Sequence, residues 1–273
     1  MGSVPRFVCA TCGVQYPEST EPPAACLICE EPRQFVPPEG QRWTTLEELR
    51  RDHRNVLEEL EPGLTAIRTE PEFAIGQQAH FLEAESDNVL WDCVTLLDGA
   101  TIRAVERRGG LTVLAVSHPH YYSAMIEWSR AFGDAPVYVH EADERWLVRR
   151  DGNIVLWSGE THELGPGLTL VRCGGHFEGG AVLHWAEGAE GRGALLSGDV
   201  VQVVSDRAWV SFMYSYPNLI PLPPQAIERI VRALEPFEFE RVYGAFGRHV
   251  LTDGKGAIER SVERYLRAIT EGL

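Results

Sequence analysis

The thirteen residues Leu111–Ser123, LTVLAVSHPHYYS, constrain this chain more than any other stretch. Leu111 to Val116 is an apolar run of strand length that leads into His118-Pro119-His120. Residues two apart in an extended segment project to the same side. His118 and His120 therefore leave the strand end together, as two imidazoles sharing a metal would. A helix is predicted next, with Ala124, Met125, Trp128 and Ala131 along one face.

Two histidines do not complete a metal shell, and three later positions supply candidates. His176 lies in Cys173-Gly174-Gly175-His176, Asp199 in Leu196-Ser197-Gly198-Asp199, and His249 closes Tyr243-Gly244-Ala245-Phe246-Gly247-Arg248-His249. Each follows a predicted strand, and glycines just before a ligand let the backbone turn it into a cleft. Taken singly, Asp199 reads equally as a turn cap, and a lone histidine as a surface or core residue.

At 273 residues the chain has room for one large domain, or a domain with a small appendage. A formal charge of −15 argues against non-specific nucleic-acid binding, and no basic run offsets it. No apolar stretch approaches ~18 residues and the N-terminus does not read as a signal peptide. The expectation is a soluble cytoplasmic protein acting on a small molecule, with no membrane partner and an oligomeric state left open.

Of six cysteines, four form the pairs Cys9-x-x-Cys12 and Cys26-x-x-Cys29. Each pair can fold into a knuckle whose amides face the thiolates, and two knuckles close a tetrahedral four-sulfur site. A segment with so little apolar material needs bound metal to fold. Residues 1–40 are thus predicted to be a metal-binding unit, with structural zinc as the expected ion. The detail FVCATCGVQYP, followed by CLIC, resembles the rubredoxin-like module at one end of rubrerythrins, over about residues 5 to 37. That resemblance implies iron as the other ion such sulfurs hold. Cys93 and Cys173 fall on strands and read as small buried hydrophobes.

Residues 41–72 read as a connecting helix and linker. Thr45-Leu46-Glu47-Glu48 has capping-box form, Leu46, Leu49, Val56, Leu57 and Leu60 follow a helical period, and Pro62-Gly63 ends it. From residue 73 to 273 short strands alternate with helices. Strands are predicted at Ala74–Ala84 and Asn88–Leu97 around the turn Glu85-Ser86-Asp87, then at Val137–His140, Ile154–Trp157, Leu168–Cys173, Ala181–Trp185, Ala194–Ser197 and Arg241–Tyr243. Helices are predicted at Thr101–Arg108, Glu141–Arg150, Gln225–Leu234 and Gly256–Glu271. Such an order suggests an α/β fold of two sheets with helices outside.

Strand-HxH-helix, then GGH-x-x-GG, then SGD resembles the metallo-β-lactamase-fold hydrolases, motifs in family order, from about Phe73 onward and including Asp92 in Leu90-Trp91-Asp92-Cys93. The resemblance implies a four-layer αββα sandwich with metal at the sheet edge. By motif, it implies that His118, His120 and His176 form a three-histidine site and that Asp199 ligates or bridges metals. The family motif His-x-His-x-Asp-His departs here, with Tyr122 in place of the aspartate and Ser123 in place of the last histidine. Both positions serve a second metal in the family, and His249 is the candidate substitute, a few residues past the family position.

A neutral phenol is a poor replacement for a carboxylate, so the expectation is a mononuclear centre. Zinc on three histidines with an open position suffices to acidify a water for attack on an ester, thioester, lactone or similar bond. Asp199 would complete the shell or orient that water, and Tyr122 would donate to an oxyanion. Two histidines with Asp199 also make a facial triad suited to iron and oxygen chemistry, similar to persulfide dioxygenases of this fold. A non-catalytic binding protein is the third reading. Trp209, Phe212, Tyr214 and Tyr216 are expected to wall an apolar substrate pocket near Asp199, to be core, or to form an interface between subunits.

Overall fold

The computed structural model describes residues 4–85 and 87–270. Ser86 of the expected turn and Glu271 of the expected last helix lie outside the described residues. The chain divides into two compact units, Met1–Val139 with Asp143–Leu156, and His140–Ala142 with Trp157–Leu273.

The first unit opens with β1 (Arg6–Cys9), β2 (Gln15–Glu18) and β3 (Trp43–Thr45), in the order β2-β1-β3. Helix α1 (Leu46–Asp52) begins with the expected capping box. The Glu48 amide donates to Thr45 Oγ1 at 3.2 Å, and the Thr45 amide to the Glu48 carboxylate at 3.0 Å. The helix is shorter than the predicted period. It stops at Asp52, and β4 (Arg54–Glu61) pairs antiparallel with β5 (Leu64–Glu70), from Arg54 opposite Glu70 to Glu61 opposite Leu64. Pro62-Gly63, expected to end a helix, instead turns this hairpin, with Gly63 at φ +83°. Val56, Leu57 and Leu60 fit either period over so short a run, and the ladder to β5 decides between them.

After β6 (Gln78–Glu83) and β7 (Asn88–Trp91) come α2 (Gly99–Glu106), β8 (Val113–Ala115), α3 (Met125–Ala131), β9 (Val137–His140) and β10 (Ile154–Trp157). They complete a seven-stranded sheet ordered β10-β9-β8-β7-β6-β5-β4. Pairing is antiparallel from β4 to β7 and parallel through β7, β8 and β9. Parallel strands covered on both faces read as unbroken apolar runs. Accordingly Val89, Leu90, Trp91, Val113, Leu114 and Ala115 are all buried. The strand expected to reach Leu97 stops at Trp91, because Asp92 turns the chain at φ +60°. Only Glu141–Trp146 of the helix expected at Glu141–Arg150 is helical, as a 3-10 segment.

The second unit contains β11 (Thr161–Gly165), β12 (Leu168–Arg172), β13 (Ala181–Trp185) and β14 (Ala194–Gly198). Two small ladders follow, β15 (Gln202–Val203) with β16 (Val210–Ser211) and β17 (Met213–Ser215) with β18 (Ile220–Pro221). Then come α4 (Pro224–Leu234), β19 (Arg241–Gly244), β20 (His249–Val250) and α5 (Gly254–Thr270). The main sheet runs β11-β12-β13-β14-β19-β20, with β14 and β19 parallel. Ile227 and Ile230 of α4 and Ile258 of α5 pack with Val171, Leu195 and Val242 of the sheet in one buried cluster. Each such side chain contributes about 1.5–3 kcal/mol when fully buried. Among the described residues no helix is long and apolar enough to cross a membrane.

Candidate metal centres

The two C-x-x-C knuckles bring four buried cysteines together, and none is in a disulfide. Cys9 and Cys29 sulfurs lie 3.5 Å apart, and those of Cys12 and Cys26 3.6 Å apart. A zinc–sulfur bond of about 2.3 Å gives a tetrahedron with edges of about 3.8 Å, so these sulfurs stand near the spacing one ion requires. Hydrogen bonding from Cys12 pulls the Cys9 thiol far below its usual range, whereas burial pushes the Cys12 thiol well above it. Four thiols this close cannot all ionise alone, and a central cation removes that conflict. Gln41 Nε2 donates to Cys9 Sγ at 2.9 Å. Tyr16 packs edge-on to Trp43 at 5.1 Å, and its hydroxyl accepts the Leu27 amide at 2.7 Å.

A second cluster consists of His118, His120, His176 and Asp199, all buried, with one ligand atom of each within 4.8 Å of the others. His118 and His120 follow β8, where the chain leaves the sheet through the helical turn Pro119–Tyr121. Their rings stand 5.2 Å apart, and Tyr121 packs edge-on to His118 at 4.7 Å. The Ser117 hydroxyl sits 3.0 Å from His118 Nδ1, a contact that would orient the ring with a metal bound. His176 follows β12, and its Nδ1 donates to the Met213 carbonyl at 3.1 Å. A carbonyl only accepts, so Nδ1 carries the proton and Nε2 presents its lone pair. Asp199 follows β14, where the Tyr216 hydroxyl donates to its backbone carbonyl at 2.8 Å. Burial is the main reason, with Asp199 second, that the Tyr216 phenol stays protonated far above its usual range. Three imidazoles and a carboxylate are donors that suit zinc or non-haem iron.

Other expected site residues lie elsewhere. His249, the proposed late ligand, is not part of the cluster among the described residues. It pairs with Tyr243 across β19 and β20, their rings 5.1 Å apart. Tyr122, expected as an oxyanion donor, is buried and gives its hydroxyl proton to the Asp143 carbonyl at 3.2 Å. A phenol has one proton to donate, and in this structure Tyr122 directs it to a backbone carbonyl of the first unit. Ser123 is equally engaged: its Oγ accepts from Gln77 Nε2 at 3.0 Å and its carbonyl from the Gln15 amide at 2.9 Å. The aromatic run divides. Phe212 is core, Trp209 lies under the Arg264 guanidinium at 3.7 Å, and Tyr216 supports Asp199.

Asp92, to which sequence alone assigns no role, belongs to the support of this centre. It follows β7 as Ser117 follows β8, and the Ser117 amide donates to its Oδ1 at 2.7 Å. Burial, opposed by Ser117, pushes its carboxyl up to about 7. The signal was available, since a buried strand parallel to the one bearing the ligands ends on it.

No family model matches the chain. It is 50% identical over 272 residues to a protein of Bacillus subtilis (strain 168) described as uncharacterized protein YmaE, covering 99% of each. Among solved structures it is similar to the DIM-1 metallo-β-lactamase, with a TM-score of 0.59 and 14% identity over 78% of this chain and 98% of that one. VMB-1 gives 0.59 and 16% over 80% and 99%. The metallo-β-lactamase FIM-1 from Pseudomonas aeruginosa, in its mono-zinc form, gives 0.57 and 13% over 79% and 96%. Identities this low establish the fold, the expected αββα arrangement with its added cysteine knuckle. The chain is therefore a metallo-β-lactamase-fold protein and belongs to the same family as YmaE.

Proposed function

We propose that this protein is a metal-dependent hydrolase of small molecules with one metal held by His118, His120, His176 and Asp199. The observation that carries the reading is the gathering of those four ligand atoms within 4.8 Å, all buried. A single metal is supported by Tyr122 and Ser123, whose polar groups are engaged within the first unit. A divalent ion there supplies Lewis acidity and lowers the pKa of a water toward ~7.

The chain's own groups set the rest. Met213 fixes which nitrogen of His176 faces the centre, Ser117 orients the His118 ring, and Tyr216 holds the backbone of Asp199 in place. One oxygen of the Asp199 carboxylate would hold the metal, and the other would accept a hydrogen bond from the attacking water and orient it toward the acyl carbon of an ester, thioester or lactone. We place zinc at both centres.

The test is elemental analysis with turnover assays on ester, thioester and lactone panels. One zinc per histidine site, with hydrolysis lost in His118→Ala, is the expected result. Unchanged hydrolysis by folded His118→Ala protein sinks the reading. Iron at this site with oxygen consumption replaces it by an oxygenase.

A further inference from the structure

The position of the cysteine knuckle within the first unit bears on the loop that carries two of the metal-binding histidines. From Cys12 the chain runs three residues to Gln15, whose amide donates to the carbonyl of Ser123 at 2.9 Å. Ser123 is itself three residues after His120. A single backbone hydrogen bond thus joins a cysteine ligand to a histidine ligand by two short stretches of chain.

The same junction is fastened at other points. Thr95 Oγ1 donates to the Gly13 carbonyl at 2.8 Å, and a Cβ on Gly13 would lie 2.4 Å from that hydroxyl oxygen, so the approach is close. Arg149, 4% exposed, donates to Gln15 Oε1 and, at 2.7 Å, to Glu127 of α3, the helix after the histidine loop. Gln77 Nε2 holds the Ser123 hydroxyl from the other side at 3.0 Å. A cavity of about 10 Å³ lies at this junction, lined by Val14, Gln15, Tyr122 and Ser123 among others, hardly more than one water in volume. Ser123 sits at φ +40°, a left-handed conformation costly for a serine unless its surroundings impose it.

We propose that the cysteine knuckle is a positioning element for the His118–Ser123 loop, so that metal in the sulfur site raises the affinity of the imidazole site. The positions where metallo-β-lactamase-type hydrolases carry second-metal ligands, Tyr122 and Ser123, form part of this junction here. Without its ion the knuckle lacks the apolar material to stay folded, and Gln15 and Gly13 no longer present their groups to Ser123 and Thr95. Because coupling between sites is reciprocal, metal at the imidazole site strengthens the sulfur site by the same factor. The inference rests on reading His118, His120, His176 and Asp199 as a metal site, and does not depend on which reaction that site performs.

The test is cobalt titration of the full chain, reading thiolate charge-transfer absorption for the sulfur site and ligand-field bands for the imidazole site. Four proteins complete a cycle: wild type, Cys9→Ser/Cys12→Ser, Gln15→Pro/Thr95→Val, in which proline removes the amide that donates to Ser123, and the combination. Gln15 and Thr95 ligate nothing, so the second variant keeps all eight ligands. Removing the sulfur site should weaken cobalt at the imidazole site about tenfold in the native background, the worth of one or two hydrogen bonds. It should weaken it less than about twofold once the junction is cut. Equal losses in both backgrounds overturn the proposal. Should the cysteine variants fail to fold, Gln15→Pro/Thr95→Val against wild type decides alone. An unchanged imidazole-site affinity refutes the coupling, and a loss of about tenfold with a charge-transfer spectrum intact sustains it. Failure to find any hydrolysis in the same preparations would strike the proposed reaction and leave this result standing.

Discussion

Replacing Gly175 by alanine perturbs His176 without touching a ligand. Gly175 sits at φ +82°, and a Cβ there would meet Ile230 Cδ1 at 3.0 Å and Leu222 Cδ1 at 3.2 Å. The left-handed backbone costs alanine about 1–2 kcal/mol. Both opposing methyls belong to the buried cluster of the second unit, so moving them adds overpacking of about 1–3 kcal/mol. The stiffer unfolded chain offsets about 0.4–1 kcal/mol, which leaves a net loss of about 2–4 kcal/mol. Gly191 is the control: it has the same φ of +82° and nothing within 4 Å of a Cβ, so alanine there meets the backbone term alone. Urea unfolding with linear extrapolation measures both variants. Gly175→Ala should be the less stable of the two by about 1–3 kcal/mol, and its imidazole site should bind metal at least about tenfold more weakly. Equal losses in the two variants, with metal binding intact in both, would refute the packing argument and the link from this turn to His176.

Tyr122→Phe should leave turnover within about twofold and cost about 1 kcal/mol of stability, since its hydroxyl serves the Asp143 carbonyl; a fall of about a hundredfold in kcat would restore it as an oxyanion donor. Tyr216→Phe removes the donor to the Asp199 carbonyl and should weaken metal at the imidazole site about tenfold, as read by chelator competition, with a stability loss of about 1 kcal/mol like that of Tyr122→Phe. Burial holds the His184 imidazole below its usual range, so the folded protein binds fewer protons than the unfolded chain below about pH 6.5. Its contribution is complete above that pH and is lost as pH falls toward the folded pKa. His184→Gln should therefore flatten the decline in unfolding free energy between about pH 7.5 and about pH 5, and an unchanged slope would show that other groups set it.

How much of this molecule could be read in advance depends on how local each feature is. The four cysteines and the pair His118 and His120 were legible because covalent spacing alone places them: C-x-x-C closes a knuckle, and residues two apart on a strand share a side. His176 and Asp199 were found by motif order, and the α/β class by the alternation of short apolar runs with amphipathic stretches. The helix expected over Leu46–Leu60 stops at Asp52 because six of those residues, Arg54 to Glu59, have a ladder partner in β5 that no local period reveals. Analogy of position alone points to Tyr122 and His249 for the site, and nothing local gives Asp92 a role. Nothing near Tyr122 in sequence says that its hydroxyl meets Asp143, 21 residues on, and nothing in the cysteine segment says that Gln15 meets Ser123. Which atoms can bind a metal was decided by residue type and spacing. Which polar groups are left to do so was decided by tertiary structure, because a buried hydrogen-bonding group is satisfied by whatever partner folding brings to it.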